Sequence, residues 1–445
     1  MRHSNKKILS ASIFISTLIS GISNVQAAPA PVVTGSHNGS IYTITSVNTS
    51  YNASSALLES QPWWGNQSLA FSLNEIYYRA QNSGLVLFAY GLSGNYVSIT
   101  YGNAGRVIDC PQGCPRKMDS YSYATGSSEV IQQVLLTLGS VSSSLASTAA
   151  GVNSITSNIN MLMNGAHSRP LSRLVEPGKN TVWFGGDWGR DDHGRREGSS
   201  GLAEIGIGHN FGFAQLNATL GQTWARQHLT DNGRVEADGQ YLMLEAIVPV
   251  YEPQRIYATL GGFGHWGESN IRRGYINMGR NEISKGSPDT NTWGVRARLD
   301  WVDALTLHET GISPYVDLSY TQSRIDGYTE KSGTFPARFD GQSDDYSEAR
   351  LGFNTQTPLP LAGFNFVSNL EAVHRFEDRT SGVSGEVTGV FDFSLPGEQV
   401  RNDWVKAGAG IEGLIGPGKA TVMLNGTSKS EMPNLWIAAS YQLTF

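Results

Sequence analysis

From about residue 180 onward, apolar and polar residues alternate with a period of two in one segment after another. That period sends neighbouring side chains to opposite faces of a strand, so each segment carries one apolar and one polar face. Leu435, Ile437, Ala439, Tyr441, Leu443 and Phe445 share one parity, and Trp436, Ala438, Ser440, Gln442 and Thr444 share the other. Trp293, Val295, Ala297, Leu299 and Trp301 likewise alternate with Thr292, Gly294, Arg296, Arg298 and Asp300. The pattern predicts about twelve strands, at 180–190, 200–211, 213–226, 236–250, 254–270, 288–303, 309–325, 343–356, 361–377, 402–414, 417–428 and 432–445. Residues 382–393 are expected to extend the ninth strand within a long loop.

Alternation alone fits a soluble sandwich equally well, and the connections separate the two cases. Tight turns near Gly212, 252–254, 303–306, 357–360 and Gly416 alternate with longer polar loops at 190–199, 270–289 and 326–342. Short turns on one rim, long loops on the other, an even strand number and aromatic strand ends describe an all-β transmembrane barrel with its short side in the periplasm. The polar parity carries Glu204, Glu245, Arg296, Arg298, Asp300, Asp317, Glu348, Arg350, Glu371, Lys406 and Glu412. These side chains are expected to point inward, because charge on the lipid face costs about 2–4 kcal/mol near the midplane.

Ahead of the strands the period changes. Ile131, Val134, Leu138, Val141, Leu145, Val152, Ile155, Ile159 and Leu162 recur at spacings of three and four, with Thr148 breaking the series. This predicts a helix over 131–162, started by Ser127 or Ser128 as N-cap. Its length of about 48 Å approaches the thickness of a bilayer with headgroups. No charged residue occurs from Val130 to Ala166. Small neutral side chains suit a helix threading a narrow pore, whereas a coiled coil between chains normally carries Glu and Lys on its flanks. Packing onto the amino-terminal region is the third arrangement open to it.

Composition agrees with lipid as a solvent: charged residues are 16% and aromatics 10% of the chain, with 51 glycines among 445 residues. A formal charge of −6 points to no nucleic-acid partner. Arg2, Lys6 and Lys7 precede an apolar stretch from Ile8 to Ile22 and a small-residue site at Val25-Gln26-Ala27, so residues 1–27 read as a signal peptide cleaved after Ala27. No later stretch is long and apolar enough for a spanning helix, which sets aside a helical membrane protein. Cys110 and Cys114, in CPQGC, are expected to form a local disulfide pinning a turn, with two free thiols as the alternative.

Residues 28–126 show no repeat of solenoid length. A strand at 40–47, a helix capped by Asn66 or Ser68 and running through Asn82, and strands at 85–90 and 97–101 around Gly94-Asn95 predict a small α+β or mainly β domain. Trp63 and Trp64 fit core packing, contact with a surface ligand, or a helper role in export. His37 is the lone histidine of this region and no Gly-x-Ser-x-Gly elbow occurs, so neither catalysis nor a cofactor is expected. Asp187, Asp191, Asp192 and His193, with Arg190, Arg195 and Arg196, read as a solvated first outer loop that could also contact a cation or phosphate.

The order of parts, with NGAHSRPL from Asn164 to Leu171, WFGGDWGR from Trp183, GIGHNFG ending at Gly212 and the closing WIAASYQLTF, resembles an autotransporter over Ser127–Phe445. The resemblance implies a signal peptide at 1–27, an unusually short passenger at 28–126, a linker helix at 127–166 in or above the pore, and a translocator barrel at 167–445. It implies insertion by the outer-membrane barrel-assembly machinery, which would read Tyr441, Leu443 and Phe445, although Ser440 stands where a glycine is usual. Some autotransporters cut themselves at an Asn-Asn step in the pore. Ser157-Asn158-Ile159-Asn160 carries serine in place of the attacking asparagine, so no cleavage by this route is expected. The expected function is surface display of the passenger by a monomer in contact with outer-membrane lipids, with adhesion to an unknown surface ligand. A porin-like channel with a periplasmic amino-terminal domain and an outer-membrane barrel hydrolase are the alternatives.

Overall fold

The computed structural model describes residues 32–445 apart from 82–84, 104–105, 110–113, 160, 194–195, 362 and 429–432. The expected signal peptide and Cys110 lie outside these residues, as does Asn160. The described chain falls into two units, one through Gly139 with Asn277–Gly279, the other Ser140–Ile276 with Arg280–Phe445.

In the first unit β1 (Val33–His37) and β2 (Ser40–Ser50) form a hairpin closed by Asn38-Gly39, both at positive φ as a tight twisted turn demands. Helix α1 (Tyr51–Glu59), capped by Ser50, and α2 (Gln67–Gln81) follow. Next come β3 (Phe88–Ser93), β4 (Tyr96–Asn103), β5 (Arg106–Asp109) and β6 (Ser120–Ser128), the last pairing antiparallel with β2. Helix α1 has too few apolar positions to show a helical period in the sequence. The Asn66 side chain accepts from Leu69 N at 3.0 Å, the expected N-cap. Asn66→Ala is expected to cost about 0.5–2 kcal/mol, read as faster amide exchange in the first turn of α2.

Trp63 is fully buried in a core with Ile44, Leu73, Phe88 and Ala124. Trp63 is thus packed inside this unit rather than presented at its surface, where the surface-contact expectation had put it. Trp64 is half-buried and stacked on Tyr51 at 6.3 Å.

The second unit is an antiparallel meander. It contains β7 (Asn180–His193), β8 (Arg196–Asn210), β9 (Gln215–His228), β10 (Arg234–Tyr251), β11 (Ile256–Asn277), β12 (Arg280–Gly286) and β13 (Asp289–Trp301). There follow β14 (Leu305–Leu307), β15 (Thr310–Ile325), β16 (Tyr328–Thr329), β17 (Ala337–Phe339), β18 (Gln342–Pro358) and β19 (Phe364–Arg375). The last are β20 (Val383–Val387), β21 (Phe391–Leu395), β22 (Asp403–Ile415), β23 (Gly418–Thr427) and β24 (Leu435–Thr444). Twelve of these strands, each pairing with its neighbour in the chain, close when β24 pairs with β7. Asn180 and Phe445 exchange both backbone hydrogen bonds at the seam, at 2.8 and 3.1 Å. Tyr441, Leu443 and Phe445 share the outer parity of β24, and the Tyr441 hydroxyl donates to Ile415 O at 2.9 Å.

The barrel is inverted relative to a soluble protein. Leu220, Leu244, Leu260, Val295, Leu318, Leu351, Ile411 and Leu424 are exposed on its outside, while Glu204, Glu245, Arg296, Arg298, Asp317, Glu348, Arg350, Glu371 and Lys406 are buried inside. Charge inside and aliphatic residues outside is the arrangement that lipid imposes.

Residues 382–393 do not extend the ninth strand. They supply β20 and the start of β21, which form a separate sheet in the order β16-β17-β20-β21. The apolar parity of this sheet (Ala337, Phe339, Val383, Val387) packs with Tyr275 against Val141, Leu145 and Ala149. It answers to a helix rather than to lipid. Just past β17, the Ser384 hydrogen bond and then Arg338 hold the Asp340 carboxyl below the usual carboxylate range.

That helix is α3, Glu129–Asn158, whose start is capped by Ser128 accepting from Ile131 N at 3.1 Å. It stops four residues short of the expected Leu162, and Leu162–Ala166 instead form a π-helical turn. Val141, Leu145, Val152, Ile159 and Leu162 are buried and Leu138 is half-buried, but Ile131 and Val134 are 39% and 44% exposed. Those two belong to the first unit, so the apolar face buried in the lumen begins later than the spacing suggests. The side chains of Ile155, Ser157 and Asn158 lie outside the described residues. The polar side of α3 is also used: Ser140 donates to Asp231 at 2.9 Å, Ser147 accepts from Thr230 N at 3.2 Å, and Asn153 donates to Thr380 at 3.0 Å.

Candidate functional site: the barrel lumen

Beyond α3 the chain crosses the lumen as the π-turn and a 3-10 turn at Pro170–Arg173. Neither turn satisfies its own carbonyls fully, and the barrel wall supplies the missing donors. Lys406 Nζ donates to Asn164 O at 3.1 Å, Arg296 to His167 O at 2.5 Å, and Arg298 to Ser168 O at 3.0 Å. Lys419 Nζ donates to Ser172 O at 2.5 Å, and Gln215 and Gln442 both reach Arg173 O, at 2.8 and 3.2 Å. These donors come from β9, β13, β22, β23 and β24, so one segment is tied to strands around much of the circumference.

The side chains of this segment lock it further. His167 is fully buried, with Nε2 3.0 Å from Glu204 and Nδ1 2.9 Å from Glu245. Glu204 also accepts from Arg173 at 2.6 Å, from Trp183 Nε1 at 3.1 Å and from the Tyr241 hydroxyl at 2.7 Å. The Arg173 guanidinium lies over the Trp183 ring, 4.7 Å from its centroid. One carboxylate thus gathers four donors from the plug and from two other strands. Gly165 is pressed against Asp187 and Trp436, and any Cβ there would overlap the Asp187 carboxylate.

A second belt neutralises the rest of the wall. Arg296 pairs with Asp317 at 2.5 Å, Arg298 with Asp300 at 2.6 Å, Lys406 with Glu371 at 3.2 Å, and Arg350 with Glu348. Tyr315 donates to Glu371 at 2.6 Å while its ring carries Arg298 at 3.5 Å. Buried charges persist in a protein when they are paired and hydrogen-bonded, and here Arg296, Arg298 and Lys406 also hold the chain's own lumen segment. Among the described residues no group of three or more His, Cys, Asp or Glu is placed to hold a metal.

Sequence parity placed Glu204, Glu245 and the inward arginines correctly, but not their shared target. His167 and Arg173 sit in no regular strand, so nothing in their spacing connected them to Glu204 thirty or so positions away. Asp187 was expected in the first outer loop and is instead 3% exposed inside the wall, where its alternation with Phe184 and Trp188, both outward, puts it. Asp192 is exposed, and the side chains of Asp191, His193, Arg195 and Arg196 lie outside the described residues. His209, His265 and His374 are scattered: His265 meets Thr223 at 2.8 Å and His374 meets Asp403 at 2.8 Å.

The profile described as the autotransporter beta-domain matches residues 182–427, most of this twelve-stranded barrel. The chain belongs to the autotransporter β-domain family. This autotransporter barrel is similar to the translocator domain of NalP from Neisseria meningitidis, with a TM-score of 0.52 at 14% identity, over 66% of this chain and 97% of that one. That likeness shows the fold. The β-domain of the Bordetella autotransporter BrkA is matched at 13% identity and a TM-score of 0.41, over 60% of this chain and 99% of that one. An uncharacterized protein of the trpE-trpG intergenic region of Pseudomonas putida is 30% identical over 139 residues, 30% of this chain. The matched segment spans 23% of that protein's length. As an autotransporter translocator, the barrel resides in a bacterial outer membrane.

Proposed function

We propose that this autotransporter displays residues 28–126 at the cell surface, tethered and uncleaved, as a short adhesive module that contacts a host or matrix surface. One observation carries the reading: the direction in which the chain threads the barrel. Ser140 and Ser147 meet the β9–β10 hairpin tip and Val141 and Leu145 meet the loop sheet, all on the long-loop rim. Residues 162–173 lie deeper, toward the short turns. Long loops face the cell exterior in outer-membrane barrels, so the Ser140 end of the lumen helix lies toward the outer rim, which supports the display reading.

The tether itself is supported by the donors gathered on residues 164–173, each charge-assisted bond contributing about 1.5–3 kcal/mol. The display module is proposed to be non-enzymatic and free of cofactors, the barrel to act as a monomer surrounded by outer-membrane lipids, and Tyr441, Leu443 and Phe445 to be read by the assembly machinery. The function is topological, with energy from folding.

An epitope inserted near Pro31 is expected to bind antibody on intact cells, and the same cells to adhere to matrix-coated surfaces more strongly than cells making the chain without residues 28–126. Access to the epitope after lysis alone would overturn display. Equal adhesion by both strains would remove the adhesive role while leaving display standing.

A further inference from the structure

Arg226 and His228 on β9, Arg234 on β10 and Arg272 on β11 alternate with Gln227, Val235 and Ile271, which are buried toward the lumen. The four basic side chains therefore leave the outer wall of the barrel. Arg234 stands directly opposite His228 on one side and Arg272 on the other, making one cross-strand row. In the next row Arg226 lies opposite Glu236, which it meets at 2.6 Å, and Glu236 also lies 3.6 Å from Arg234. Among the described residues Glu236 is the carboxylate within ion-pair distance of this patch, and Arg272 forms no ion pair. Like charges directly opposed across a ladder destabilise a sheet unless something bridges them.

The row nearer the hydrocarbon has the opposite sign. Asp238, Glu268 and Asp289 are opposed across β10, β11 and β13 beside Trp224, all exposed and unpaired among the described residues. Trp266 and Trp293 follow in the next two rows before the aliphatic band. Four residues separate the Trp224 row from the Arg234 row, about 13 Å along the strand and about 9 Å in height at the usual tilt. Headgroups of ordinary phospholipids occupy only about 5–7 Å beyond the hydrocarbon. A glycerol-linked phosphate would thus meet carboxylates, and the arginines lie above it.

We propose that His228, Arg234, Arg272 and Arg226 form a seat for sugar-borne phosphate groups of an outer-leaflet phosphoglycolipid. Arginine matches phosphate oxygens with two parallel donors, and the opposed Arg234 and Arg272 are bridged when one phosphate accepts from both. The same hairpin holds α3 on its inner side through Val235 and Leu229, so a lipid seated outside would brace the strands that grip the tether.

The full-length protein in detergent, mixed with a bis-phosphorylated glucosamine-based lipid, tests this by native mass spectrometry. The wild type is expected to retain that lipid in preference to its dephosphorylated form, to phosphatidylglycerol and to inorganic phosphate. Removing two such cations at a lipid surface by R234Q and R272Q together is expected to weaken retention about thirtyfold. Heat-modifiable migration reports whether the double variant is folded, and the ranking of ligands on the wild type decides the matter without it. Equal retention by a folded double variant, or of the dephosphorylated glycolipid, or binding of phosphatidylglycerol or inorganic phosphate as tight as that of the glycolipid, overturns the proposal.

Discussion

Glu204→Ala is expected to unseat the plug. The carboxylate is buried and accepts from His167, Arg173, Trp183 and Tyr241, so its loss strands an imidazole, a guanidinium and two neutral donors in a site closed to water. Breaking a buried pair by removing one partner costs about 3–5 kcal/mol, because the remaining charge keeps its desolvation penalty without its compensation. Glu245 can hold His167 Nδ1 but lies 3.7 Å from Arg173, so it does not replace Glu204. The variant should conduct ions in planar bilayers where the wild type is nearly closed, and its folded band on unheated gels should convert at a lower temperature. Unchanged conductance together with an unchanged conversion temperature would show that the plug does not depend on this cluster. Glu204→Gln, which keeps the shape and loses the charge, should fall between the two.

Arg273→Ala should loosen the outer side of the same assembly by a comparable amount. Arg273 and Glu330 are fully buried and pair through Nε at 3.0 Å and Nη2 at 2.6 Å. The guanidinium also reaches Ser144 of α3 at 2.9 Å and Phe335 O at 2.5 Å, while Glu330 accepts from Ala337 N at 2.8 Å. One side chain of β11 thereby joins the helix to the loop sheet. Its removal leaves Glu330 charged and buried, again about 3–5 kcal/mol. Hydrogen exchange at 328–339 and 383–395 is expected to accelerate, and proteases to cut the loop sheet in the folded protein, while exchange of the barrel strands is unaltered. Because a buried ion pair is often replaceable by apolar residues of similar volume, Arg273→Met combined with Glu330→Leu should recover most of the protection. If the single variant exchanges like the wild type, this contact does not hold the loop sheet down.

The proposed display of the amino-terminal region bears on both results. A tether that resists extraction needs the lumen cluster and the loop sheet together, since the first grips residues 164–173 and the second covers Val141 to Ala149. Variants of the two sites are expected to be more than additive if a single concerted release is being measured.

Much of the barrel was legible from the chain alone. Lipid on one side and a wet or charged lumen on the other impose a period of two on every strand. All twelve observed strands therefore overlap the twelve expected ones, with ends displaced by a few residues where strands such as β11 run on beyond the hydrocarbon into a hairpin. The inward parity of Glu204, Arg296, Asp317 and Lys406 followed from the same constraint, as did the start of α3 from Ser128. These are local properties, set by a residue's near neighbours and by the solvent each face meets. What only the tertiary structure decided is how distant positions share one space. The α-helix ends at Asn158 rather than Leu162, and Leu162–Ala166 form a π-helical turn whose Asn164 carbonyl accepts from Lys406 on the wall. His167 and Arg173 acquire meaning from Glu204 and Glu245, Val383 and Val387 from Val141, and Trp63 from Phe88. No period or spacing encodes those meetings, since each depends on which strands closure of the ring brings together around the segment inside it.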